Sequence, residues 1–118
     1  MDKKYMNIFK PMVIVEPISF KNIDDVIQFG KKQNIAYMDD SMGIPDKIKM
    51  LTTIISSVYF GFVIRTVDYD SLMKAIQITQ EYLSTIPNNS IEILNAKNEF
   101  TTTSLMIIGT AMRMPTDS

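Results

Sequence analysis

Apolar and polar residues along this chain fall into short blocks whose spacing changes from one section to the next. Met12 to Val15 is a compact apolar run, β-branched over its last three positions and ended by Glu16-Pro17, which predicts a buried strand. Ser19 then offers a helix cap. Phe20, Ile23, Ile27 and Gly30 follow at helical steps, and Lys31 and Lys32 stand where a helix C-terminus favours cations. Ile35 to Met38 predicts a second strand, closed by the turn-forming Asp39, Asp40, Ser41 and Gly43.

Pro45 suits the first turn of a second helix, because its missing N–H has no partner there in any case. Ile48, Leu51, Ile55 and Val58 carry that helix to about Ser57. Phe60 to Val67, rich in aromatic and β-branched residues, predicts a third strand. Asp70 is placed to cap a third helix with Leu72, Ile76, Thr79, Leu83 and Ile86 on one face, stopped by Pro87-Asn88-Asn89. Ile91 to Leu94 and Thr101 to Ala111 flank Asn95-Ala96-Lys97-Asn98 and predict a closing hairpin. The expected fold is therefore α/β: a single small domain, a mixed β-sheet with helices packed on it, in the order β-α-β-α-β-α-β-β. It spans residues 11–114, after a flexible or docking segment over 1–10 and before a tail over 115–118.

Composition changes this picture mainly by what it removes. The 118 residues include no histidine and no cysteine. Imidazole- and thiol-based nucleophile systems, disulfides and most zinc sites are thereby excluded. The expectation is a protein that is not an enzyme and carries no cofactor. A net charge of −1 supplies no basic footprint for nucleic acid. No apolar run approaches the roughly 18 residues of a membrane span, the best candidate being Leu105 to Gly109. With no run of signal-peptide length either, a cytoplasmic location is the plain expectation. Met1, Tyr5, Ile8 and Phe9 recur at helical steps among lysines, a pattern shared by membrane-surface helices and by termini that dock on their own domain.

Two kinds of site can be drawn from what is left. Asp39-Asp40 and the pair Asp68 and Asp70 are the carboxylate clusters able to seat a hard cation such as Mg²⁺, set against simpler roles in a turn and a helix cap. Tyr59, Phe60 and Phe62, together with Leu105 to Ile108, are candidates for a buried contact with another protein, or for filling the chain's own core. Ten methionines are many for this length, and adaptable binding surfaces overuse methionine. Met50, Met73 and Met106 fall in runs expected to be core.

Val13-Ile14-Val15-Glu16-Pro17-Ile18-Ser19-Phe20, followed by a helix with Asp24, Asp25, Val26 and Ile27, resembles the opening of the SepF cell-division domain. Leu51 through Ile54-Ile55-Ser56-Ser57-Val58-Tyr59 resembles that family's later helix. Ser57 replaces the usual glycine, and a further helix intervenes before the last strands. The resemblance covers roughly residues 12–60. It implies a non-enzymatic cytoplasmic domain that dimerises or polymerises at the membrane and binds the C-terminal peptide of the tubulin-like protein FtsZ. A small phage or mobile-element inhibitor that binds a host target, and a Mg²⁺-dependent enzyme built on the aspartates, stand as alternatives. The partner expected in either of the first two cases is a protein, with a homodimer or larger homo-oligomer as the assembled form.

Overall fold

A computed structural model describes residues 18–34 and 41–113, and among them every regular element is a helix. The helices are α1 (Ile23–Lys32), α2 (Ile44–Val63), α3 (Tyr69–Ser84) and α4 (Ile91–Arg113). The expected mixed sheet is thus overturned: the described residues form no strand, and the fold is helical, not α/β. The strands expected at Met12–Val15 and Ile35–Met38, and the segments at 1–10 and 115–118, lie outside the described residues.

The two remaining strand expectations fail for local reasons. Phe60 to Val63 is the last turn of α2, and residues 64–67 are the turn that follows. Phe62 lies four residues beyond Val58 and continues the buried face, so the period of the helix outlasts its β-favouring composition. Residues 91–111, expected as a hairpin, are one unbroken helix. Its buried positions Ile93, Ala96, Phe100, Ser104, Ile107 and Ala111 step by three and four, and Asn95 to Asn98 is simply one of its turns.

The helix ends show why the chain breaks where it does. Asn22, not Ser19, caps α1: its side-chain oxygen accepts the Asp25 N–H at 3.1 Å, while the Asp25 carboxylate accepts the Lys21 N–H at 2.7 Å. α2 starts at Gly43 with Pro45 in its first turn, as expected. It ends in a Schellman motif, in which Thr66 N–H donates to the Gly61 carbonyl at 2.8 Å and Arg65 N–H to that of Phe62 at 3.1 Å. Arg65 takes the left-handed conformation this needs, with φ 68°. Asp68, not Asp70, caps α3 by accepting the Ser71 N–H at 2.7 Å. Ser90 Oγ accepts the Ile93 N–H at 3.2 Å and opens α4.

α2 is the central helix, packing on α1, α3 and most extensively on α4. Ile48, Leu51, Ile54, Ile55 and Val58 are completely buried along it, each worth on the order of 2 kcal/mol of apolar burial. They meet Val26 of α1, Leu72 and Ala75 of α3, and Phe100 and Ala111 of α4 in one core. Short turns join α2 to α3 and α3 to α4. The segment before α1 is anchored on α3, where Ser71 Oγ donates to the Ile18 carbonyl at 3.0 Å. Lys97 of α4 donates to the Ile86 carbonyl just past α3, where a cation suits the helix end.

Candidate functional site

α2 and α4 leave a shallow open groove between their C-terminal halves. Ser56 and Tyr59 of α2 face Thr103, Met106, Ile107 and Thr110 of α4 across a volume of about 230 Å³. The sequence builds this groove in a simple way. Residues buried on α2 cover about half of its circumference, and Ser56 and Tyr59 stand at the edge of that arc. On α4, Thr103, Met106 and Thr110 share the flank next to the buried face, while Ile107 lies on its floor.

Small hydroxyl residues keep the groove open, and apolar residues dominate its exposed rim. Met106 is 68% exposed, and Phe60 and Val63, one turn beyond Ser56 and Tyr59 on α2, are 61% and 39% exposed. Ser56 Oγ is already occupied, donating to the Thr52 carbonyl at 3.1 Å. Behind the groove, Tyr59 stacks on Phe62 with centroids 6.5 Å apart, and Phe62 meets Tyr69 of α3 edge-on at 6.1 Å. That chain of rings fixes the Tyr59 wall against the core.

The aromatic candidates therefore divide. Tyr59 lines the groove, Phe60 is exposed beside it, and Phe62 is buried in the core and supports Tyr59 from behind. Of the residues expected in a last strand, Leu105 is 61% exposed while Ile107 is buried. Met106, expected in the core, is a rim residue instead, whereas Met50 and Met73 are partly buried against the core. Sequence reasoning missed Thr103 and Thr110, and named Met106 only within a strand, because a strand reading of 101–111 places alternate residues, not every third or fourth, on one face.

Asp68 and Asp70 are not brought to this groove. Asp68 is engaged as the α3 cap, Asp70 lies in the first turn of α3, and Asp39 and Asp40 lie outside the described residues. Among the described residues there is no group of three or more carboxylates able to hold a metal ion. Among the described residues no acidic or basic side chain lines the groove, so what they offer there is shape and apolar contact. Among the described residues, no helix is long and apolar enough to cross a membrane. No family model matches this chain, and neither a curated protein nor a solved structure matches it.

Proposed function

We propose that this chain is a protein-binding and assembly module whose α2–α4 groove receives an apolar anchor from a partner protein. The observation that carries the reading is the exposed trio Phe60, Val63 and Met106 beside an uncharged groove. Large apolar side chains gathered around a concavity mark interaction sites, and a rim methionine adapts to differently shaped anchors. The volume of about 230 Å³ falls below the roughly 300–1,000 Å³ typical of metabolite pockets, and suits one or two side chains of an amphipathic segment. The described residues that line the groove are hydroxyl and apolar ones, which suits holding a partner's side chain.

Two protein ligands give this reading its first test: the FtsZ C-terminal peptide, which the SepF resemblance implies, and peptides selected from a displayed library. Binding is measured by isothermal titration with the full chain and with Ser56→Arg and Met106→Asp. A ligand of this groove loses at least tenfold in affinity to either variant and little to Glu99→Lys. Peptides that bind all the variants equally well would place recognition elsewhere and end the proposal. Selection of a host enzyme's segment in preference to the FtsZ tail would turn the module towards the inhibitor alternative while keeping the groove.

A further inference from the structure

α4 carries a second apolar face, most of which is exposed. Ile91, Asn98, Leu105 and Met112 recur every seven residues along it, and Leu94, Thr101 and Ile108 lie between them. The resulting steps of three and four, repeated through the whole helix, are those of a coiled-coil seam. At 100° per residue this stripe is centred about 120° from the face that α4 buries in the core. Ile91, Leu105 and Met112 are 61–69% exposed, and Leu94 is 38% exposed. Ile108, where the stripe drifts towards the core as a seven-residue repeat must on a 3.6-residue helix, is partly buried.

From this seam we infer that α4 pairs with α4 of a second copy of the same chain, in parallel and in register. Three features select that occupant. The stripe contains no charged residue, and the positions along its outer edge are Asn95, Thr102 and Gly109, so two identical faces meet without like-charge repulsion. A side chain added at Gly109 would meet nothing within 4 Å, so that edge is open to a close neighbour. Asn98 is the one amide on the stripe, in the class of position where a single asparagine bonds to its own symmetry mate and fixes register. An antiparallel pairing that overlaps the stripes fully would instead set Asn98 against Leu105, leaving the amide unmatched.

The stripe also sets the strength of the pairing. It is about 32 Å long on a helix about 10 Å wide, a strip of about 320 Å² on each copy, which falls short of the roughly 1,200–2,000 Å² buried in stable assemblies. Threonine and asparagine among its seven positions weaken it further. The dimer is therefore a micromolar one, made at a face separate from the α2–α4 groove and independent of what that groove binds.

Sedimentation equilibrium of the full chain from about 10 to 500 µM is the direct test, with Kd expected in the micromolar range. Leu105→Lys combined with Met112→Lys, both at exposed positions, raises Kd at least tenfold while helical content by circular dichroism is kept. Asn98→Val lowers Kd about tenfold, and Met106→Asp, which damages the groove, leaves it unchanged. The chain has no cysteine, so Asn98→Cys reports register: oxidised glutathione cross-links it to a disulfide dimer much faster than it does Glu99→Cys. A folded chain that stays monomeric at the highest concentration overturns the proposal. So does a dimer that survives the double lysine variant, one that Met106→Asp dissociates, or equal cross-linking at the two cysteine positions.

Discussion

Gly61 and Val67 approach so closely that a Cβ built on the glycine would stand 2.7 Å from Cγ2 of the valine. The closeness follows from the end of α2. The Gly61 carbonyl accepts the N–H groups of both Thr66 at 2.8 Å and Val67 at 3.1 Å, which folds residues 64–67 back onto the last turn of the helix. The glycine is required for that approach and not for its backbone angles, since no glycine here has a positive φ. Gly61→Ala gains about 1 kcal/mol of helix propensity but forces the turn outward, for a net loss of about 1–2 kcal/mol in urea unfolding. Adding Val67→Ala removes the clashing methyl groups, so the double variant loses less than the sum of the two single losses.

Arg65 sits two residues from that contact in a left-handed conformation that costs a residue with a Cβ about 1–2 kcal/mol. Part of this is offset by the smaller freedom of arginine in the unfolded chain. Arg65→Gly therefore stabilises the fold by about 0.5–1 kcal/mol. Arg65→Val, β-branched at the same φ, destabilises it by more than 1 kcal/mol. The midpoints of thermal melts of the three proteins should fall in the order Gly, Arg, Val.

Ser104 is completely buried on α4, and among the described residues its hydroxyl has no hydrogen-bond partner. Thr79 on α3 is buried to the same degree but donates to the Ala75 carbonyl at 2.8 Å. A buried hydroxyl without a partner costs about 1–3 kcal/mol. Ser104→Ala should accordingly raise stability by about 1 kcal/mol, with a small further gain in helix propensity. Thr79→Ala, which opens a small void and breaks a satisfied bond, should lower it. Opposite signs in chemical denaturation are the expected result.

Asp68 is a helix cap, and its substitutions should follow capping rules. Asp68→Asn keeps an acceptor for the Ser71 N–H and changes stability little, whereas Asp68→Ala loses about 1 kcal/mol. The Asp68→Ala loss should be the same with and without millimolar Mg²⁺, because a ligand bound to the folded state at Asp68 would make the difference depend on its concentration. Ser71→Ala removes the tie to the Ile18 carbonyl, and faster hydrogen exchange at residues 18–20 is the readout.

Parts of this fold can be read directly from the sequence, and the parts that cannot fail for identifiable reasons. α2 is legible in Ile48, Leu51, Ile55 and Val58, and α3 in Leu72, Ile76, Thr79 and Leu83, because large residues mark the buried stripe at helical steps. α4 is obscured because three of its core positions are small or polar, Ala96, Ser104 and Ala111, while β-branched residues at 101–103 and 107–108 imitate strands. Counting alanine and serine as possible interior residues recovers its period. The end of α2 is hidden for another reason: the left-handed position that stops it holds arginine, where glycine would have signalled a C-cap. The groove was half legible, through Tyr59 and Phe60. Its other wall depended on reading α4 as a helix.

The weight of the structure is shared unequally around α2. α1 contributes two buried positions, Val26 and Gly30, against eight on α2, and among the described helices it makes no contact with α4. α1 should then detach as a local opening at a fraction of the global unfolding free energy, while α2, α3 and α4 come apart together. In native-state exchange the amides of Val26 to Gly30 would be labelled early and those of Ile54 to Val58 last, so the groove belongs to the slowest-opening part of the molecule.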